Sequence, residues 1–209
     1  MNIGIVTTWF ERGAAYVSKA YRDVLARNHN VFVYARCGES YARNDPNWDC
    51  DYVTWGSYLP KTRIVWEEFR SWIDQNKIQC LIFNEQHSWE VILRCVKNSI
   101  PIGTYIDYYT KETVPFFKLY DFLLCNTERH HDVFKSHPNC VYIPWGTNLS
   151  LFKPNIGCVS QYGVKFFHSA GMGGINNRKG SDLVVKAFQG ITGNSNLIIH
   201  SQAGLERFE

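Results

Sequence analysis

Ser169-Ala170-Gly171-Met172-Gly173-Gly174-Ile175-Asn176-Asn177-Arg178-Lys179-Gly180 is the stretch on which the reading of this chain turns. It follows an apolar run, Val164 to Phe167, and leads into Ser181 to Phe188, where apolar residues recur at helical spacing. A glycine-bearing loop between a buried strand and a helix is where free backbone N–H groups and the helix dipole can meet a phosphate. The stretch is not a P-loop, because the GxxxxGK[ST] pattern is absent. One more strand pattern, Asn196 to Ile199, follows the helix, so a βαβ unit opens at Val164. Everything before it has to be read separately.

Upstream, unbroken apolar runs alternate with amphipathic stretches. Ile3 to Thr7 reads as a buried strand, and Ala14 to Arg27 as a helix with Val17, Tyr21, Val24 and Leu25 on one face. Val31 to Ala35 and Tyr52 to Trp55 are the next strands. Trp66 to Ile73 lies in a helix expected to start near Lys61. Cys80 to Phe83 is a strand, Ser88 to Val96 a helix, and Ile100 to Tyr105 a strand whose ends are blurred by Pro101 and Gly103. Tyr120 to Leu124 leads to a helix capped by Thr127, with Glu128 in its first turn, that runs through Lys135. Cys140 to Ile143 is a strand closed by Pro144. Continuous apolar strands, as opposed to alternating ones, imply a mostly parallel sheet covered on both faces. The fold class is therefore α/β. A Rossmann-like parallel-sheet domain is expected over residues 1–155, and the opening βαβ of a second Rossmann-like domain over 156–209. The irregular stretch Pro144 to Gly157 is read as the connection.

A chain of 209 residues can bury one sizeable core and a fragment of another. The net charge of +3 is small and its basic residues are scattered, which argues against nucleic acid as a partner. Seven cysteines with no CxxC pair suggest buried thiols in a reducing compartment, not a disulfide framework or a zinc site. His130, His131 and His137 are read as surface histidines with no metal-ligand spacing around them. No basic segment precedes the first strand and no apolar run approaches a membrane span, so a cytoplasmic protein without a signal peptide is expected. The sequon Asn148-Leu149-Ser150 carries no meaning in that setting.

Four stretches in order carry a resemblance. They are Ile3-Gly4-Ile5-Val6 with Gly13 before a helix; Leu124-Cys125-Asn126-Thr127-Glu128; Val141 through Pro154, with Ile143-Pro144-Trp145-Gly146 and Phe152-Lys153-Pro154; and Phe166 to Phe188 with Arg178-Lys179-Gly180. Together they resemble the GT-B fold glycosyltransferases, specifically the large retaining nucleotide-sugar-dependent family 4 (glycosyl transferases group 1). That resemblance implies two Rossmann-like domains flanking a cleft, with the donor held mainly by the second and the acceptor mainly by the first. It implies transfer of a sugar from a UDP- or GDP-sugar to a glycan, lipid or small-molecule acceptor, with no further cofactor and no metal. The implied partners are the nucleotide sugar and a carbohydrate or glycolipid acceptor. Peripheral association with the inner face of the membrane and self-association through the second domain are also expected.

The resemblance assigns Lys179 to the donor diphosphate, where its charge would add to the helix dipole, with Arg178 beside it holding the loop. Gly171 stands where the family has the glycine of its Gly-Arg pair, Gly173 and Gly174 would admit the phosphate close to the backbone, and Gly13 would do the same across the cleft. Gly13 is equally readable as a turn glycine. The catalytic candidates are Asp107, at the end of a strand and able to orient an acceptor hydroxyl or simply cap a turn, and His87, with Glu85 nearby. Tyr105, Tyr108, Tyr109 and Trp89 are read either as an aromatic acceptor wall or as core. His168 is expected to be a packed or loop histidine. The chain departs from the family pattern at Met172, where an arginine is usual; at Ile106, where a histidine often precedes the aspartate; and at Ala14, where many relatives have a second glycine. The two glutamates that hold the donor ribose and sugar lie beyond the last strand in such relatives, and Glu206 and Glu209 come too early to match them. The chain by itself is therefore expected to be inactive or weakly active, as part of a transferase that breaks off within the donor domain. The alternative is a non-catalytic GT-B module that binds an acceptor or a partner subunit. A dinucleotide-dependent enzyme is disfavoured, because the first strand leads to no GxGxxG.

Overall fold

The computed structural model describes residues 1–37, 41–60, 62–154, 163–171 and 179–201. The chain divides into two compact units, Met1–Gly146 and Thr147–Glu209, with the division inside the irregular stretch that begins at Pro144. The first unit contains strands β1 (Asn2–Thr8), β2 (Asn30–Cys37), β3 (Val53–Tyr58), β4 (Cys80–Phe83), β5 (Ile102–Ile106), β6 (Phe122–Cys125) and β7 (Cys140–Tyr142). Helices α1 (Gly13–Leu25), α2 (Trp66–Gln75), α3 (Trp89–Lys97) and α4 (Glu128–Phe134) lie between them, with a 3-10 turn at Val114–Leu119. The strands form one seven-stranded sheet in the order β3-β2-β1-β4-β5-β6-β7. Every pairing is parallel. The order reverses between β1 and β4, where Ile3 pairs with Cys80 and Val6 with Phe83.

Alternate residues of the central strands feed two cores, one on each face. On one face Val6, Tyr34, Leu81, Phe83 and Ile102 meet Phe69 and Trp72 of α2, Ile92 of α3, Phe117 and Phe134. On the other, Ile3, Ile5 and Val33 pack with Trp9, Trp48 and Ala15 of α1. Trp9 Nε1 donates to the Trp48 carbonyl at 2.7 Å, and the two indoles meet edge to face. Two glycines let these layers close. A Cβ at Gly4 would lie 2.6 Å from the Trp72 ring, and one at Gly103 only 2.1 Å from the Phe122 ring.

Two local expectations are corrected. Val24 is 59% exposed; α1 instead buries Ala15 and Ser18, with Tyr21 and Leu25 partly buried, so the inward stripe is narrower and smaller than the apolar count suggests. α2 begins at Trp66, not near residue 61, because Val65 is extended and Thr62 has a left-handed φ of 60°. Residue 61 itself lies outside the described residues. Thr127 does cap α4, its hydroxyl accepting the His130 N–H at 3.1 Å.

The second unit holds β8 (Val164–Gly171) and β9 (Ser195–Ser201), paired in parallel, with α5 (Ser181–Gln189) between them in sequence. Its apolar side chains are far less covered: Phe167 is 68% exposed and Leu183 66%. Among the described residues no helix is long and apolar enough to cross a membrane.

Candidate functional site

In open α/β sheets, ligands bind beyond the carboxyl ends of the strands where the strand order reverses, because the loops there diverge and leave a crevice. Here that point lies between the ends of β1 and β4. A buried cation organises it. Arg36, at the end of β2, donates to the carbonyls of Asn84 at 2.7 Å and Glu85 at 2.9 Å, and to the side-chain oxygen of Gln86. These bonds hold the turn after β4 although Glu85 sits in the left-handed region at φ 52°, a conformation that costs an ordinary residue about 1–2 kcal/mol. Glu85 in turn forms an ion pair with Arg12 at 3.2 Å. Arg12 is the residue immediately before α1, so this pair ties the start of that helix to the β4 turn. Asn84 adds a second tie, donating to the Ala14 carbonyl and to Ser18 Oγ, both at 2.9 Å. Sequence reasoning singled out Glu85 as a cleft-edge residue but missed Arg36, Arg12 and Asn84. An arginine closing an apolar strand was the available signal for Arg36.

The two catalytic candidates do come together. Asp107 follows β5 and His87 follows the β4 turn, close enough for the imidazole to act electrostatically on the carboxyl. Burial pushes the Asp107 carboxyl above the ordinary carboxylate range, opposed by His87, by the backbone N–H groups of Tyr108 and Asp107, and by Arg36. His87 itself is exposed, and its ring lies 6.4 Å from that of Tyr108. His130 approaches the same region from α4. Burial lowers its pKa, against a backbone contact with Ile106 and the charge of Asp107. The Asn126 side-chain oxygen and His130 Nδ1 are buried with no hydrogen-bond partner among the described residues.

Gly13 opens α1 with no positive φ, and a Cβ added there would meet nothing within 4 Å. The fold therefore makes no demand for glycine at this position. In the second unit Gly171 ends β8 at φ 66°, and Gly180 caps α5 at φ 65°. Lys179 is exposed directly before that cap. Ser181, fully buried, bonds His168 Nε2 at 2.7 Å, which joins the end of β8 to the start of α5. Gly173, Gly174 and Arg178 lie outside the described residues.

Of the two readings of the aromatic residues, core holds for most of them. Tyr105 is buried against Tyr21, and its hydroxyl is pushed up to about 12 by that burial. Trp89 packs on Phe116 and Phe117, and Tyr109 on His130 and Phe134. Tyr108 alone of the four is open, at 63% exposure. The reading of the histidines also needs correcting. His130 and His137 are half-buried, and His137 is pinned by the Tyr120 carbonyl at 2.9 Å and the Asn139 N–H at 3.2 Å.

No protein family matches the sequence, and no curated protein does. Among solved structures, the apo form of the lipopolysaccharide outer core galactosyltransferase WaaB is similar, with a TM-score of 0.60 at 10% identity. The likeness is one of fold, an α/β architecture built on a parallel sheet. The likeness covers 95% of this chain and 60% of WaaB, so the chain spans about three fifths of the length of that enzyme. The ends of β1, β4 and β5 border the point where the strand order of the sheet reverses. Those ends are where Gly13, Arg12, Glu85, His87 and Asp107 stand.

Proposed function

We propose that this chain belongs to a retaining GT-B glycosyltransferase of the nucleotide-sugar-dependent family 4 type, which transfers a sugar to a carbohydrate or glycolipid acceptor. The observation that carries the reading is the set of side chains at the reversal point: the half-buried Asp107 carboxyl beside His87, with Arg36 and the Arg12–Glu85 pair fixing the adjoining turns.

In this reading the acceptor hydroxyl attacks the anomeric carbon from the face the diphosphate leaves, and its proton passes to the departing diphosphate oxygen as the bond from that carbon breaks. Asp107 accepts a hydrogen bond from the hydroxyl and directs its lone pair. The raised proton affinity of its carboxyl suits that task better than that of a fully solvated aspartate. His87 holds the same substrate edge. The departing diphosphate is met by the Lys179 ammonium and Arg178, by the free N–H groups at the start of α5, and by backbone at Gly171 and Gly173. Gly13 leaves the start of α1 open to a close approach by the nucleotide sugar. Met172 supplies no charge, so Lys179 and Arg178 carry more of that task than in relatives with an arginine there.

Isothermal titration with UDP, GDP and their hexose conjugates tests the donor assignment. Binding is expected for one nucleotide and is expected to fall at least tenfold in Lys179→Ala. A folded protein that binds none of them at millimolar concentration would overturn the reading.

A further inference from the structure

The acceptor's chemistry is narrowed by what surrounds Asp107. Tyr108 is the one open ring among the four aromatic candidates, and it stands against His87 with the two ring planes at 75°. Two rings meeting at nearly a right angle form a corner, with one flat apolar face and one polar edge. The half-buried Asp107 carboxyl lies beside it, near the backbone N–H of Tyr108 and the His87 imidazole, with lone pairs that can accept from a ligand. A flat apolar face next to a carboxylate matches a pyranose ring. Such a ring presents a face of axial C–H bonds and an equatorial rim of hydroxyl donors.

The charges argue against an anionic acceptor. The two arginines at these strand ends are committed, Arg36 to the Asn84 and Glu85 carbonyls and Arg12 to the Glu85 carboxylate. A phosphorylated headgroup placed here would face Asp107 and Glu85 while their countercharges stay engaged.

We propose that Tyr108, with Asp107 and His87, forms a subsite for an uncharged pyranose ring, so that the acceptor is the sugar terminus of a glycan. This deepens the glycosyltransferase reading, yet the subsite requires no donor and no transfer. Tyr108 supplies the stacking face, Asp107 accepts from the ring hydroxyls, and His87 closes the corner.

Saturation-transfer NMR on the full chain, using methyl β-D-galactopyranoside, methyl α-D-glucopyranoside and glycerol 3-phosphate as probes, tests this. Irradiating aromatic protons is expected to saturate the ring C–H protons of a pyranoside, with little transfer to glycerol 3-phosphate. Tyr108→Ala should weaken pyranoside binding about five- to tenfold, while Tyr108→Phe keeps it, because the ring and not the hydroxyl does the binding. Near-UV circular dichroism of Tyr108→Ala checks folding. If that variant misfolds, the saturation pattern of the unaltered chain decides. No pyranoside saturation, equal binding by Tyr108→Ala, or preferential binding of glycerol 3-phosphate would each overturn the subsite. Nucleotide titration separates the two readings. A chain that binds nucleotide but no pyranoside loses the subsite only. One that binds pyranoside through Tyr108 but no nucleotide keeps the subsite and loses the transferase.

Discussion

Two strand-to-helix turns in this molecule carry glycines, and they use them differently. At the end of β8 and the start of α5, Gly171 and Gly180 both have left-handed φ values, so the backbone itself favours glycine there. After β1, Gly13 has an ordinary φ and open space where a side chain would stand. The anchoring differs as well. The start of α1 is tied to the β4 turn by Arg12, Glu85, Asn84 and the buried Arg36. The described residues at the start of α5 hold to β8 through the single His168–Ser181 bond. A glycine that the fold does not need is the more informative one, because something outside the fold remains to explain it.

The largest expected effect tests the anchoring. Arg36→Met removes a buried charge and strands the carbonyls of Asn84 and Glu85, and urea unfolding should show a loss of about 3–5 kcal/mol. A loss below about 1 kcal/mol would mean that the β4 turn holds itself. His168→Ala breaks one bond and leaves the Ser181 hydroxyl buried without a partner. It should cost about 1–3 kcal/mol by the same measurement, and a cost equal to that of Arg36→Met would erase the contrast between the turns.

The glycines themselves give a smaller, opposite-signed pair. Gly171→Ala must enter the left-handed region and should lose about 1–2 kcal/mol. Gly13→Ala should leave stability unchanged or raise it by up to about 1 kcal/mol, while weakening nucleotide binding in the titration. Unchanged binding would return Gly13 to an ordinary turn residue.

The smallest effect is electrostatic. Burial raises the Asp107 pKa, so the folded state holds that proton more tightly than the unfolded chain does. The resulting stabilisation is present below the ordinary carboxylate pKa and is lost as the pH rises through the raised value. Asp107→Asn should therefore raise Tm at pH 7, with the gain shrinking as the pH falls towards about 4. A gain that is independent of pH would assign it to packing instead.

The parallel sheet was legible because doubly covered strands need unbroken apolar runs, and Cys80 to Phe83 appears as such a run in both sequence and structure. The cap on α4 was legible because Thr127 acts on a neighbour three residues away. The 3-10 turn at Val114–Leu119 was not anticipated, since six residues containing a proline show neither period clearly. At the site, Asp107 and His87 could be chosen because both follow apolar strands. Their nearness depends on β4 and β5 being adjacent and in register, as Phe83 and Thr104 are. Arg36 was missed, although it closes an apolar strand, because two of its partners are backbone carbonyls 48 and 49 residues away, and carbonyls leave no trace in residue identity. The four aromatic residues stayed between wall and core because ring counts do not say which rings point inward.

The central place of β1 has a consequence for how the chain is made. β1 pairs on one side with β2, which is close in sequence, and on the other with β4, where Ile3 meets Cys80. At synthesis rates of about 5–20 residues per second, the second side of β1 waits roughly 4–15 s for its neighbour to be translated. Through that interval an apolar strand has one unpaired edge, and the nascent chain must keep it from other chains. Slower translation ahead of Cys80 would lengthen the exposure, so the yield of folded protein should depend on the pace of synthesis as well as on its final stability.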